Sequence, residues 1–163
     1  MDPEAILAAI EQQRDSDAEP REELERVSYL GFYLGAEVYG LPLEQLREVA
    51  RVSHLRRVPG APPGVAGLVN LRGEILCALD VRAILGLPAR TSHESGFLVA
   101  LRGFGEPLGL IVDSIADIYA VSPGDIEAPP ATWPAERAEC FIGTARVAAG
   151  LMGLLDLGRI TKG

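Results

Sequence analysis

The chain has 163 residues and a mass of 17.4 kDa, the size of one domain or two very small ones. Apolar residues make up 48% and charged residues 23%, which supplies a core and excludes wholesale disorder. Aromatics are only 6% against 18 Gly and 12 Pro, a turn-rich aliphatic composition suited to many short strands. A net charge of −8, with no basic cluster, argues against a nucleic-acid partner.

At the N-terminus, Asp2-Pro3-Glu4 reads as a helix start: an N-cap side chain, a proline at the first helical position and an acid facing the dipole. Ile6, Leu7 and Ile10 share one face and predict an amphipathic helix to about Gln13. Such a helix either packs on the body of the protein or docks on a partner. Residues 15–21 (DSDAEPR) read as a polar linker. The segment has neither a positive start nor a long apolar stretch, so it is not a secretory signal. Nothing approaches the ~20 apolar residues of a membrane span. The sequence reads as a cytoplasmic protein without direct membrane insertion.

From Ser28 onward, short period-two runs alternate with Gly and Pro. The predicted strands are Tyr29–Leu34, Val38–Leu41, Leu46–Val52, Leu68–Leu71, Ile75–Leu79, Gly96–Leu101, Leu108–Val112, Ile115–Val121, Cys140–Arg146 and Leu151–Leu155. Ten such strands imply an all-β barrel or sandwich.

The chain also repeats itself. Placing Glu37 on Glu106 aligns, without gaps, Gly40 with Gly109, Leu41 with Leu110, Leu43 with Val112 and Glu44 with Asp113. The alignment continues through Leu46 on Ile115, Glu48 on Asp117, Val49 on Ile118 and Val52 on Val121. A second echo links LDVRAI (79–84) with LDLGRI (155–160), where Asp80 and Asp156 can each cap a short helical turn. Two echoes in the same order imply two related half-barrels packed together.

Enzyme chemistry finds little support. His54 and His93 are the only histidines, both in polar settings, and no GxSxG elbow or Gly-rich phosphate cradle accompanies them. Asp80, Asp113 and Asp156 flank strands, where capping or turn formation is their ordinary use. Cys77 and Cys140 lie far apart in apolar runs, as buried thiols do, and no metal-ligand spacing exists. No cofactor is implied. What remains is surface: in GLVNLRGEI (67–75), Arg72-Gly73 forms a hairpin turn whose arginine is either merely solvated or held rigidly for bidentate contact with a partner. Leu46 and Glu48 alternate with Gln45 and Arg47, and the sequence does not say which pair faces the core.

The strings YGLPLEQLREV (39–49), VPGAPPGVAGLVNLRGEILCALDVR (58–82), LGLIVDSIADI (108–118) and FIGTARVAAGLMGLLDLGRI (141–160) resemble the CheW family of chemotaxis coupling proteins. The resemblance runs in order from about Tyr29 to Ile160. It implies two SH3-like five-stranded β-barrels with a groove between them, preceded by a short N-terminal helix, and no catalysis. Residues 1–27 would form the helical extension and linker, and residues 28–163 the CheW-like domain. Its first barrel would span roughly 35–86 plus the C-terminal segment, and its second roughly 96–145. The implied partners are the regulatory domain of a chemotaxis histidine kinase and the helical cytoplasmic tip of a chemoreceptor. Leu46 and Glu48 match strand residues used against the kinase, and Gly67, Asn70 and Arg72 match the receptor-coupling segment. An alternative is a CheW-like module that recruits a non-kinase partner through its N-terminal helix.

Overall fold

The structure, a computed structural model, describes residues 3–16, 26–52, 54–89 and 96–161. Asp2, His93 and the segment 17–25, all read from the sequence above, lie outside the described residues.

The first element is α1 (Pro3–Ser16), a turn longer than its apolar spacing predicts. Five strands form the first sheet, β1 (Val27–Leu34), β2 (Glu37–Pro42), β9 (Ser114–Val121), β10 (Phe141–Val147) and β11 (Gly150–Leu155), in the order β10-β11-β2-β1-β9. The second sheet holds β3 (Leu46–Arg51), β4 (Leu55–Arg56), β5 (Val65–Leu71), β6 (Glu74–Asp80), β7 (Phe97–Leu101) and β8 (Leu108–Val112), in the order β3-β7-β8-β6-β5-β4. The ten predicted strands are all present. The eleventh, β4, has two residues and too little pattern to be read from sequence. The fold is all-β, two SH3-like β-domains with short helices.

The two sheets are copies of one plan. Under the Glu37–Glu106 alignment, β1, β2 and β3 fall on β7, β8 and β9, while the second echo places β5–β6 on β10–β11. The barrels nevertheless do not follow the repeats. β3 leaves its own hairpin to pair antiparallel with β7, and β9 leaves its hairpin to pair antiparallel with β1. The expected partition into a barrel over roughly 35–86 with the C-terminal segment and another over roughly 96–145 is therefore corrected: the first sheet takes 27–42 and 114–155, the second 46–112. Sequence periodicity reports what each strand buries, not which neighbour it pairs with.

Alternation along the strands divides the apolar residues between cores. Leu30, Phe32 and Leu34 of β1 join Val99 and Leu101 of β7 in a core shared by both sheets. Their alternates enter separate cores: Tyr29 with Met152 and Leu154 in the first sheet, Leu98 and Ala100 with Leu76 in the second. Ile6 and Ile10 of α1 are buried in the shared core, where the helix packs on β3 and on the 3₁₀ turn Leu43–Gln45. The helix thus packs on the body of the protein, the first of the two uses expected of it.

Asp113 stands where the chain crosses from β8 to β9. Its carboxylate accepts from the Gly35 N–H at 2.7 Å and from Arg82 Nη2 at 2.6 Å, and its own N–H donates to the Tyr33 carbonyl at 3.1 Å. Arg82 lies in α2 (Val81–Ile84), which follows β6, so one carboxylate fastens the second sheet to the β1–β2 hairpin of the first. The hydrogen bond to Asp113 raises the Arg82 pKa further, against desolvation that lowers it. Asp80 and Asp156 act as the sequence suggested, accepting from the Ala83 and Arg159 N–H groups as caps of α2 and of α4 (Leu157–Ile160).

Two outcomes follow for stability. Asp113→Ala strips a partly buried guanidinium and a turn N–H of their acceptor, and is expected to lower the urea-unfolding free energy by about 1.5–3 kcal/mol. Tyr39 donates to Glu37 Oε2 at 2.7 Å, and burial, that hydrogen bond and the Glu37 charge all hold its phenol far above the ordinary 10.0. A raised phenol favours the neutral, folded form, so this stability is intact below about pH 10 and lost as pH rises beyond it. Urea midpoints measured across alkaline pH should fall, and fall less steeply in Tyr39→Phe.

Candidate functional site

The five residues singled out by sequence do not play equivalent parts. β3 carries a register shift between Leu46 and Glu48, so strict alternation fails there. Leu46 and Val49 both turn into the shared core, and Leu46 has 0% of its surface exposed. Leu46 therefore presents no exposed side chain and seats β3 in the shared core beside Glu48.

β5 and β6 are joined by the two-residue turn Arg72-Gly73, with Leu71 paired to Glu74. Both turn residues have positive φ, 53° at Arg72 and 86° at Gly73, the twist a two-residue hairpin requires. Arg72 is the one non-glycine residue with positive φ among the described residues. The Gly73 N–H donates to Asn70 Oδ1 at 2.9 Å, so Asn70 closes the turn that presents the arginine. Gly67 serves the same hairpin from its base: a Cβ there would lie 2.3 Å from the Arg56 carbonyl oxygen, so only glycine lets β5 lie against β4.

Glu48 and Arg72, assigned above to different partners, meet. Arg72 Nη2 lies 3.3 Å from Glu48 Oε1, with Arg72 76% exposed and Glu48 only 15%. Arg47 Nε approaches the other carboxylate oxygen at 3.9 Å, and Arg47 also bonds Glu74 across the sheet end. Glu48 Oε1 is shielded from solvent and has no hydrogen bond, so its contact with Arg72 is charge-to-charge rather than an aligned bond. A shielded carboxylate under an exposed guanidinium leaves the arginine free to turn toward an incoming acid.

Beside this hairpin, a groove of about 620 Å³ is lined by His54, Leu55, Arg56, Leu68, Asn70 and Ile75. Its lining is mostly apolar and includes one charged side chain, Arg56, on a protein whose net charge is −8. Ile75 is 52% exposed, and Val58 at 40% is a second exposed apolar residue of the β4–β5 connection. Sequence reading passed over Ile75 because EILCALD is apolar almost throughout, so parity could not separate a surface isoleucine from its buried neighbours Leu76 and Ala78.

His54 is exposed on the groove rim, and Cys77 and Cys140 are free and half-buried, burial raising both thiol pKa values. Among the described residues, no group of three or more His, Cys, Asp or Glu side chains could hold a metal, and no helix is long and apolar enough to cross a membrane.

Comparison with known proteins agrees with this architecture. The sequence model of the CheW-like domain matches residues 28–163. The chemotaxis protein CheW of Treponema pallidum is 31% identical over 140 residues, covering 83% of this chain and 82% of that protein. Protein FrzA of Myxococcus xanthus is 28% identical over 99% of this chain and 92% of its own length. The crystal structure of the scaffolding protein TtCheW from Thermoanaerobacter tengcongensis superposes with a TM-score of 0.71 at 24% identity, covering 85% of this chain and 87% of that one. The chain belongs to the CheW-like family of non-enzymatic chemotaxis scaffold proteins.

Proposed function

We propose that this protein is a cytoplasmic coupling adaptor that joins a chemotaxis-type histidine kinase, through its regulatory domain, to the cytoplasmic tip of a chemoreceptor. Family membership supports the adaptor role. The observation that carries the finer reading is the largely apolar groove, with Arg56 in its lining, beside the hairpin that holds Arg72 against Glu48. A half-exposed isoleucine in an apolar groove is the kind of anchor on which interfaces concentrate their energy, and Arg56 within it and Arg72 on the adjoining hairpin favour an acidic partner face.

In this reading the kinase domain docks over the groove and Glu48, while Gly67 and Asn70 hold the Arg72 hairpin that serves receptor coupling. Leu46 contributes from beneath, by seating β3. Because Arg72 pairs with Glu48, a partner carboxylate that captures the arginine changes the electrostatics of the kinase face at the same time. Two moderate interfaces on one rigid body raise the local concentration of kinase at the receptor without needing tight binding at either. The alternative, recruitment of a non-kinase partner by the N-terminal helix, is disfavoured by that helix having its apolar face turned inward.

Calorimetric titration of the isolated kinase regulatory domain is expected to give micromolar binding, weakened tenfold or more by Glu48→Lys and by Ile75→Asp. Absence of binding between two folded proteins would overturn the kinase assignment. Arg72→Ala should change stability by less than about 0.5 kcal/mol, since the side chain is mostly exposed. In a reconstituted receptor–kinase assay it should still reduce control of kinase activity by receptor ligand.

A further inference from the structure

Glu48 lies between two arginines, although one is enough to balance its charge. Arg72 Nη2 stands 3.3 Å from Oε1, and Arg47 Nε stands 3.9 Å from Oε2. The second contact exists because of the bulge in β3. Neighbours on a regular strand point to opposite faces, but the register shift between Leu46 and Glu48 gives Arg47 no partner residue on β7 and lets it lie beside Glu48. Arg47 Nη1 meanwhile donates to Glu74 Oε1 on β6, which keeps the guanidinium from closing on Glu48. The four side chains form a row of alternating charge, Glu74, Arg47, Glu48, Arg72.

The other sheet shows that the fold does not require this row. In the repeat, Glu48 corresponds to Asp117 and Arg47 to Ala116, both on β9. The turn matching Arg72-Gly73 is Ala148-Ala149, and Gly150 stands in the place of Glu74. Asp117 is exposed and accepts from the Ile118 N–H, so it needs no arginine. Glu48 is only 15% exposed and its Oε1 has no hydrogen bond. Removing all positive charge beside it would strand a covered, unpaired carboxylate, which is strongly destabilising.

We propose that Arg47, held by Glu74, is the standby counter-charge of Glu48, and that it sets how readily Arg72 is released to a carboxylate of the receptor tip. The receptor as the source of that carboxylate rests on the coupling reading, whereas the standby role does not. When Arg72 turns to the incoming acid, Arg47 keeps Glu48 neutralised. Without Arg47 the same movement would strand Glu48, so Arg72 stays on it. Arg47 and Glu74 are thus positioning residues that act through Glu48 and Arg72.

Urea unfolding of the full chain tests the standby role with no partner present. Arg47→Gln and Arg72→Gln should each have a mild effect, because the remaining arginine covers Glu48. The Arg47→Gln/Arg72→Gln variant should lower the folding equilibrium constant by about fivefold or more beyond the product of the single effects. In a Glu48→Gln background that excess should vanish, which separates it from repulsion between the arginines and from lost packing. Additive effects, or an excess that persists without the Glu48 carboxylate, overturn the proposal. Binding of a soluble receptor-tip fragment tests the release of Arg72 with Arg47 variants that keep Arg72. Arg47→Gln should weaken binding by about threefold or more, Arg47→Lys should restore it, and in the Glu48→Gln background Arg47→Gln should have no effect. Unchanged affinity in a folded Arg47→Gln variant, or an equal loss without the Glu48 carboxylate, also overturns it. If the fragment does not bind the unaltered chain, the coupling reading fails, and the unfolding cycle alone then decides whether Arg47 is a standby charge.

Discussion

Because β3 and β9 each complete the sheet opposite the one that holds their hairpin neighbours, neither sheet is built from a single repeat, and the first sheet is assembled from two stretches, 27–42 and 114–155, that flank the stretch 46–112 forming the second. Every other feature depends on this exchange. It places the faces of both sheets against one shared core, and it makes Asp113, at one of the two crossings, a tie between the α2 end of one sheet and the hairpin turn of the other. It also leaves β3 at a sheet edge next to the inter-sheet core. That position lets a helix reach apolar surface there and brings Glu48 to the end of the β5–β6 hairpin. Pairings this distant in sequence cost loop-closure entropy before they return contacts, so the topology favours slow, cooperative folding.

The site's character comes from its contrast with the rest of the surface. The chain is acidic overall, yet Arg56 lies in an apolar groove and Arg72, on the adjoining hairpin, sits over a shielded carboxylate. An exposed ion pair contributes little to stability, because solvent screens it and long side chains lose freedom to make it. Glu48 differs in being mostly covered, so its charge remains felt at the surface chiefly through Arg72. The rigid two-residue turn sets where that arginine can reach.

Much of the fold was legible in the residues. Period-two runs marked ten strands, and two echoes marked the repeat, because burial of alternate side chains is written locally. The partners of those strands were not legible, since β3 would bury Leu46 and Val49 equally well in either sheet. The bulge that breaks alternation between Leu46 and Glu48 is a backbone event with no glycine or proline to announce it, and so a buried leucine was grouped with a surface glutamate. At the hairpin the position was better. Arg72-Gly73 has the composition of a two-residue turn, and the structure adds that Asn70 closes it and that Gly67 yields space to the Arg56 carbonyl. The meeting of Arg72 with Glu48 depends on tertiary geometry and left no local trace.

The crossed strands also determine what a cut would do. A break between α2 and β7 would give two fragments, the first with β1 to β6 and the second with β7 to β11. Each sheet would then be divided along two seams, β11 against β2 and β1 against β9 in one, β3 against β7 and β8 against β6 in the other. Either fragment alone would carry open edges in both sheets and half of the common core, with nothing of its own to close them. Its native partner is the other fragment, so for the divided molecule recognition and folding would be a single event, and the intact chain is in effect a heterodimer joined by a linker.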